Sequence, residues 1–266
     1  MRLSNTMRRI ALFACVVLFA LGGVANAASG NSKAKQIVDS LYTGKGLAPI
    51  NDLIVELECT DSNDQSGQLQ LASKDKIYFK APNKLRVDTI IQDPGGPLDQ
   101  RQAIIIRDGV TMWHYLSTGQ YPVKKKPDVP SPTANLPFNI QRYPIDETKS
   151  YEFGQQRLIE GVQTQEIIIK NPQDAKDERH VFVDIARAVP MLMEYTRENG
   201  DKSVHVTVEY GSITRMSDGR FFPFLIKIYT EGKLEKVRAY KGVIINAGLD
   251  DSFFNHMGGM MNQPSH

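Results

Sequence analysis

The side chains best suited to chemistry in this 266-residue sequence are its five histidines and two cysteines. Imidazole serves as a general base or a metal ligand, and a thiolate as a nucleophile. His114, His180, His205, His256 and His266 stand apart from one another, on strand-like or terminal positions. No carboxylate pair stands out from the surface acids beside them. A glycine-rich phosphate loop and the HExxH, GxSxG and CxxC patterns are all absent. The soft ligands concentrate in His256-Met257-Gly258-Gly259-Met260-Met261, where thioethers and imidazole suit Cu(I). A copper site needs fixed geometry, however, and a glycine-rich terminus frays, so 255–266 reads as a flexible tail. The sequence therefore offers no catalytic constellation, no metal site and no cofactor site. Lys+Arg 32 against Asp+Glu 30 leaves no basic excess for nucleic acid. A mean hydropathy of −0.33 argues against a multi-span membrane protein.

The N-terminus alters these sums. Arg2, Arg8 and Arg9 precede an apolar run from Ile10 to Val24, which ends in Ala25-Asn26-Ala27. Basic start, apolar middle and small-x-small end make a secretory signal peptide, cleaved after Ala27. An uncleaved anchor is the competing reading, but this run is short of the ~20 residues that span a bilayer. Leu12-Phe13-Ala14-Cys15 loosely resembles a lipoprotein-processing box, yet most of the apolar stretch follows Cys15 and Phe13 is bulky there. Residues 1–27 carry three arginines and no acid, so the +2 of the whole chain becomes −1 in the 239 residues that remain. Cys59 is then the only thiol. It cannot form an internal disulfide and reads as a half-buried strand residue.

The elements of the exported chain follow from periodicity. Ala34, Ile37, Val38 and Leu41 recur at helical spacing, which predicts an amphipathic helix over Lys33–Tyr42. From Asp52 the period turns to two. Strands are expected at Leu53–Cys59, Gly67–Ser73, Lys76–Lys80, Lys84–Ile91, Arg101–Arg107 and Thr111–Leu116. Further strands follow at Tyr151–Glu160, Gln163–Lys170, Arg179–Ile185, Met191–Glu198, Ser203–Tyr210, Phe222–Glu231 and Leu234–Ile245. Asp108-Gly109, Asn199-Gly200 and Asp218-Gly219 between them suit tight hairpins, so neighbours are antiparallel. A meander this long curls or closes, because a flat sheet would expose an apolar face. Leu85, Val87 and Ile91 share one side of their strand, with Arg86 and Asp88 on the other.

Lys124–Asp146 interrupts the strands with Pro127, Pro130, Pro132, Pro137 and Pro144. This density of proline excludes central strands and predicts a loop, acting as a lid or as a linker between half-sheets. Residues 28–254 otherwise read as a single domain. Near its end, Asp250–Asn255 is expected to form one helical turn that presents Phe253 and Phe254.

One stretch is more specific. Ile77-Tyr78-Phe79-Lys80-Ala81-Pro82-Asn83-Lys84-Leu85-Arg86-Val87-Asp88 continues through Ile104-Ile105-Ile106-Arg107-Asp108-Gly109 to Met112-Trp113-His114-Tyr115. It resembles the periplasmic outer-membrane lipoprotein carrier (LolA-like, lipoprotein-sorting) family. The C-terminal half follows that family more loosely, through Val183-Asp184, Pro190, Glu194-Tyr195 and Asn199-Gly200. The resemblance implies a mainly β fold: a strongly curved antiparallel sheet forming an unclosed β-barrel, with an N-terminal helix and short helices as plug or lid. It implies a cavity for acyl chains, walled by Leu85 and Val87 with Phe79, Ile104 and Ile106, and by Trp113 and Tyr115 on a neighbouring strand. Ile37, Val38 and Leu41 would face that cavity from the helix. Two departures stand out. Ala81 occupies the place where family members often carry a latch arginine, and Lys124–Asp146 adds length.

These expectations describe a monomeric periplasmic carrier of acylated lipoprotein or lipid, and not an enzyme. Its implied partners are an inner-membrane donor transporter and an outer-membrane acceptor. A non-carrier envelope sensor on the same scaffold is the alternative, and an envelope hydrolase with scattered catalytic residues a third. A polar cleft with a His–carboxylate pair would favour the hydrolase. Expression with secretion tests the leader: N-terminal sequencing of the exported protein is expected to begin at Ala28, and a chain still starting at Met1 would refute cleavage.

Overall fold

Apolar residues at every second position give a strand one buried side, and strands of matching phase build a one-sided sheet. The computed structural model describes residues 31–41, 46–62, 68–91, 101–108, 111–116, 123–125, 148–199 and 202–255. The leader 1–27, nearly all of the proline-rich segment and the His/Met tail lie outside these residues. Helix α1 spans 31–41. The strands are β1 Asp52–Ser62, β2 Leu69–Lys80, β3 Lys84–Ile91, β4 Arg101–Arg107, β5 Met112–Leu116, β6 Val123–Lys125 and β7 Ser150–Ile159. They continue as β8 Val162–Asn171, β9 Asp174–Asp184, β10 Val189–Asn199, β11 Lys202–Arg215, β12 Phe221–Thr230 and β13 Lys233–Ile245. A 3-10 turn, Asp251–Phe254, ends the described chain. Among the described residues no helix is long and apolar enough to cross a membrane.

All thirteen strands form one sheet in the order β6-β5-β4-β3-β2-β1-β13-β12-β11-β10-β9-β8-β7, and every pairing is antiparallel. It is the expected unclosed, curved sheet with a helix. Its two halves are simple meanders, β1–β6 and β7–β13, joined where β1 pairs with β13. Two sequence expectations are corrected. The strands expected at Gly67–Ser73 and Lys76–Lys80 are one continuous strand, β2. Val123–Lys125, partly inside the expected loop, pairs with β5.

The inner face, the one that α1 covers in part, carries two apolar clusters. Leu53, Val55, Leu57, Ile77, Phe79, Leu85, Val87, Phe222 and Tyr240 belong to the first. Ala34, Val38 and Leu41 of α1 pack with Tyr151, Ile167, Ile169, Val181 and Val183 in the second. Met193 touches both. One end of the sheet is tied down by polar groups. Asn246, at a φ of 55°, accepts the Asn51 N–H at 2.7 Å. Asp52 accepts the Gly248 N–H, and Lys80 donates to the Leu249 carbonyl at 2.7 Å. Lys80 and Lys84 both reach Asp251 and pull its carboxyl down to about 2. Ala81, at the expected latch position, instead packs against the first apolar cluster.

Leu41 is fully buried under α1. Leu41→Ala is expected to cost about 2–5 kcal/mol and to speed hydrogen exchange in 31–41 while β1–β3 stay protected. Equal acceleration across the sheet would show that α1 does not move as a separate unit.

Candidate functional site

Cross-strand register decides which residues can share a site, because directly opposed residues point to the same face. Phe79 lies opposite Leu85, and Ile77 opposite Val87. Leu85 and Val87 lie opposite Arg107 and Ile105. Phe79, Leu85 and Val87 are thus together on the inner face, and Ile105 packs against them. Ile37, Val38 and Leu41 reach the same face from α1, at the second cluster.

Ile104, Ile106, Trp113 and Tyr115 do not join them. Ile106 opposes Arg86 and Trp113, and Ile104 opposes Asp88 and Tyr115, which places these four on the outer face. The expected cavity wall is corrected here. Ile104-Ile105-Ile106 has no alternation, so its phase cannot be read locally, and the register selects Ile105 for the inside. The outer face has its own covering at this point. Phe253 from the 3-10 turn meets Tyr78 at 5.4 Å, and Arg86 lies 5.9 Å from both rings. Phe254 of the same turn is fully buried.

Register also assembles a polar group that sequence spacing hides. His180 Nδ1 lies 2.7 Å from Glu166 Oε1, and Nε2 lies 3.0 Å from Glu178 Oε1. The second Glu166 oxygen accepts the Gln155 N–H at 2.7 Å. That N–H sits in the irregularity between Phe153 and Gln156 of β7. A Cβ on Gly154 would fall 2.0 Å from Glu166 Oε2, so the glycine makes room for the carboxylate. The arrangement clamps a bulge on the outer face. Both ring nitrogens face carboxylates. Among the described residues no group of histidine, cysteine and acid side chains could hold a metal ion. The side chain of His114 and all of His256 and His266 lie outside the described residues.

The middle of the inner face is closely packed. Burial pushes the Tyr240 phenol up. It also pushes the Cys59 thiol up to about 11, with the neighbouring Asp75 carboxylate adding to the effect. Cys59 reaches Asp75 Oδ2 at 3.6 Å. A thiol held this far above neutrality is a poor nucleophile. The buried side chains of this face are mostly apolar.

No protein-family model matches the sequence, and no curated protein sequence does either. Solved structures do match. A DUF1329 family protein from Desulfovibrio piger superposes with a TM-score of 0.61 at 10% identity, over 86% of this chain and 98% of that one. A domain described as an outer membrane lipoprotein-sorting protein from Vibrio parahaemolyticus gives 0.57 at 15%, over 86% and 97%. A LolA superfamily protein from Nitrosomonas europaea gives 0.56 at 14%, over 86% and 98%. What is shared at these identities is the fold, and the fold is LolA-like.

The thiol offers a direct check on burial at the inner face. In the chain without residues 1–27, the rate of Cys59 alkylation is expected to keep rising through pH 9, towards a midpoint near 11. The native state holds this proton more tightly than the unfolded chain does. Its contribution to stability is present below pH 9 and is lost as pH rises towards 11. A rate profile that levels off at pH 9 would show a solvated thiol.

Proposed function

We propose that the chain is an exported periplasmic carrier that shelters the acyl chains of a lipoprotein or another lipid against the inner face of its sheet. The supporting observation is an unclosed sheet whose apolar inner face is covered, at one end, by a single helix. The leader at 1–27 supplies export, and the carrier passes its cargo from an inner-membrane donor to an outer-membrane acceptor. The likeness in fold to a lipoprotein-sorting domain is in keeping with this reading.

Energetics set the terms. Each methylene withdrawn from a membrane must regain about 0.8 kcal/mol of burial. Leu53, Val55 and Leu85 are already buried by the chain's own side chains, so the described state is a closed one. Cargo enters by displacing something. Helix α1 is the element to move, because its cluster is joined to the larger one through Met193, whose unbranched side chain repacks easily. Lifting α1 bares Val181, Val183 and Ile167 and leaves the seam between β1 and β13 intact. Acyl chains then take the place of Val38 and Leu41 and, as Met193 repacks, run on towards Leu53 and Phe79 of the first cluster. A pocket of this kind is weakly specific and releases what it binds.

The experiment is lipid extraction of the secreted, purified protein followed by mass spectrometry. Acyl-bearing species are expected at about one per protein. A protein that emerges empty, and that also refuses a fluorescent fatty-acyl probe, would end the carrier reading.

A further inference from the structure

Asp75 breaks the apolar character of the inner face. Strand β2 sets it opposite Leu57 on one side and Thr89 on the other. It is only 8% exposed. Its Oδ2 takes the Cys59 thiol at 3.6 Å, but among the described residues its Oδ1 has no hydrogen-bond partner. A buried carboxylate oxygen left open is a costly thing to keep, and native proteins keep few of them.

The surroundings change character at this residue. On one side run Ile77, Phe79 and Leu53, paired across β1 and β2 and buried. On the other side come Ser73 and Cys59, with Arg238 of β13 opposite Cys59. Beyond them Lys236 reaches Asp61. Asp75 and Arg238 thus approach Cys59 from the two strands that flank β1, one an anion and the other a cation. An amphiphile along this face has one sensible orientation. Its chains lie along Leu53 and Phe79, and its head lies at Asp75.

We propose that Asp75 anchors the primary ammonium of a zwitterionic, acylated cargo, with Arg238 taking the phosphate beside it. This rests on the carrier reading above and names the head group that reading leaves open. A carboxylate is an acceptor only, so its open oxygen needs a donor. An ammonium brings three N–H groups together with a complementary charge, where a hydroxyl brings one donor and no charge. A quaternary ammonium brings charge without a donor. Ethanolamine and choline head groups therefore separate the two contributions.

The test loads the protein, freed of residues 1–27 by its own export, from two kinds of vesicle. One mixes phosphatidylglycerol with phosphatidylethanolamine, the other phosphatidylglycerol with phosphatidylcholine. Native mass spectrometry counts the lipid bound. The wild type is expected to favour the ethanolamine lipid about tenfold over the choline lipid. Asp75→Asn keeps the shape of the side chain and should abolish that preference by lowering uptake of the ethanolamine lipid to that of the choline lipid. Cys59 gives a second readout that needs no variant: ethanolamine loading should slow its alkylation more than choline loading does. A preference that survives Asp75→Asn, or equal uptake and equal Cys59 protection in the wild type, would overturn the anchor and leave the carrier standing. Failure to load any lipid would remove the carrier reading, and the anchor with it.

Discussion

A sheet with two unjoined ends and one apolar face cannot stay open in water. That constraint governs the rest of this molecule. Thirteen strands leave β6 and β7 as the ends of the sheet order, so burial comes from curvature rather than closure. The curvature has visible sources. Register shifts fall between Glu56 and Leu57, Cys59 and Thr60, Phe153 and Gln156, and Ile228 and Tyr229. Each adds local twist and bends its strand. Helix α1 then fills part of what curvature leaves, and the segment after β13 is strapped over the outer face by Lys80 and Lys84.

Two buried carboxylates show how strictly the molecule accounts for its polar groups. Glu166 is 6% exposed, and both its oxygens are engaged, by an imidazole and by the backbone N–H of a bulge. A glycine has been given up to fit it. Asp75 is nearly as buried, and among the described residues its Oδ1 has no hydrogen-bond partner. The first group belongs to the architecture. The second is what one expects where structure has been held back for a partner.

Much of this is legible in the sequence. Lys84–Ile91 and Arg101–Arg107 are read with their full bounds, because alternation and turn residues agree there. The helix expected over Lys33–Tyr42 is described over 31–41. Three kinds of information were not local. Lys74-Asp75 looks like a turn, and only its partners on β1 and β3 carry β2 through it. The three isoleucines of β4 have no phase until Leu85 and Arg86 supply one. Ile37, Val38 and Leu41 share one helical face by their spacing, but the cluster they enter is separate from that of Phe79 and Leu85. The His180 clamp needs residues 166 and 178 brought in by register, and no motif records that.

The order of the strands has a consequence for how the chain reaches this state. Every neighbour in the sheet is also a neighbour in sequence, save at β1 and β13 and across the ends. Two meanders can zip from local hairpins, with little loop entropy lost at each step. The seam is different: Asn51 meets Asn246 across 195 residues. Contact order is therefore low in each half and high at the single joint where the larger core sits. The termini of the domain converge at the centre of the sheet, and the middle of the sequence lies at its rims. Rejoining the ends and opening the chain between β6 and β7 would turn that one distant pairing into another hairpin, and the slowest step of assembly would become a local one.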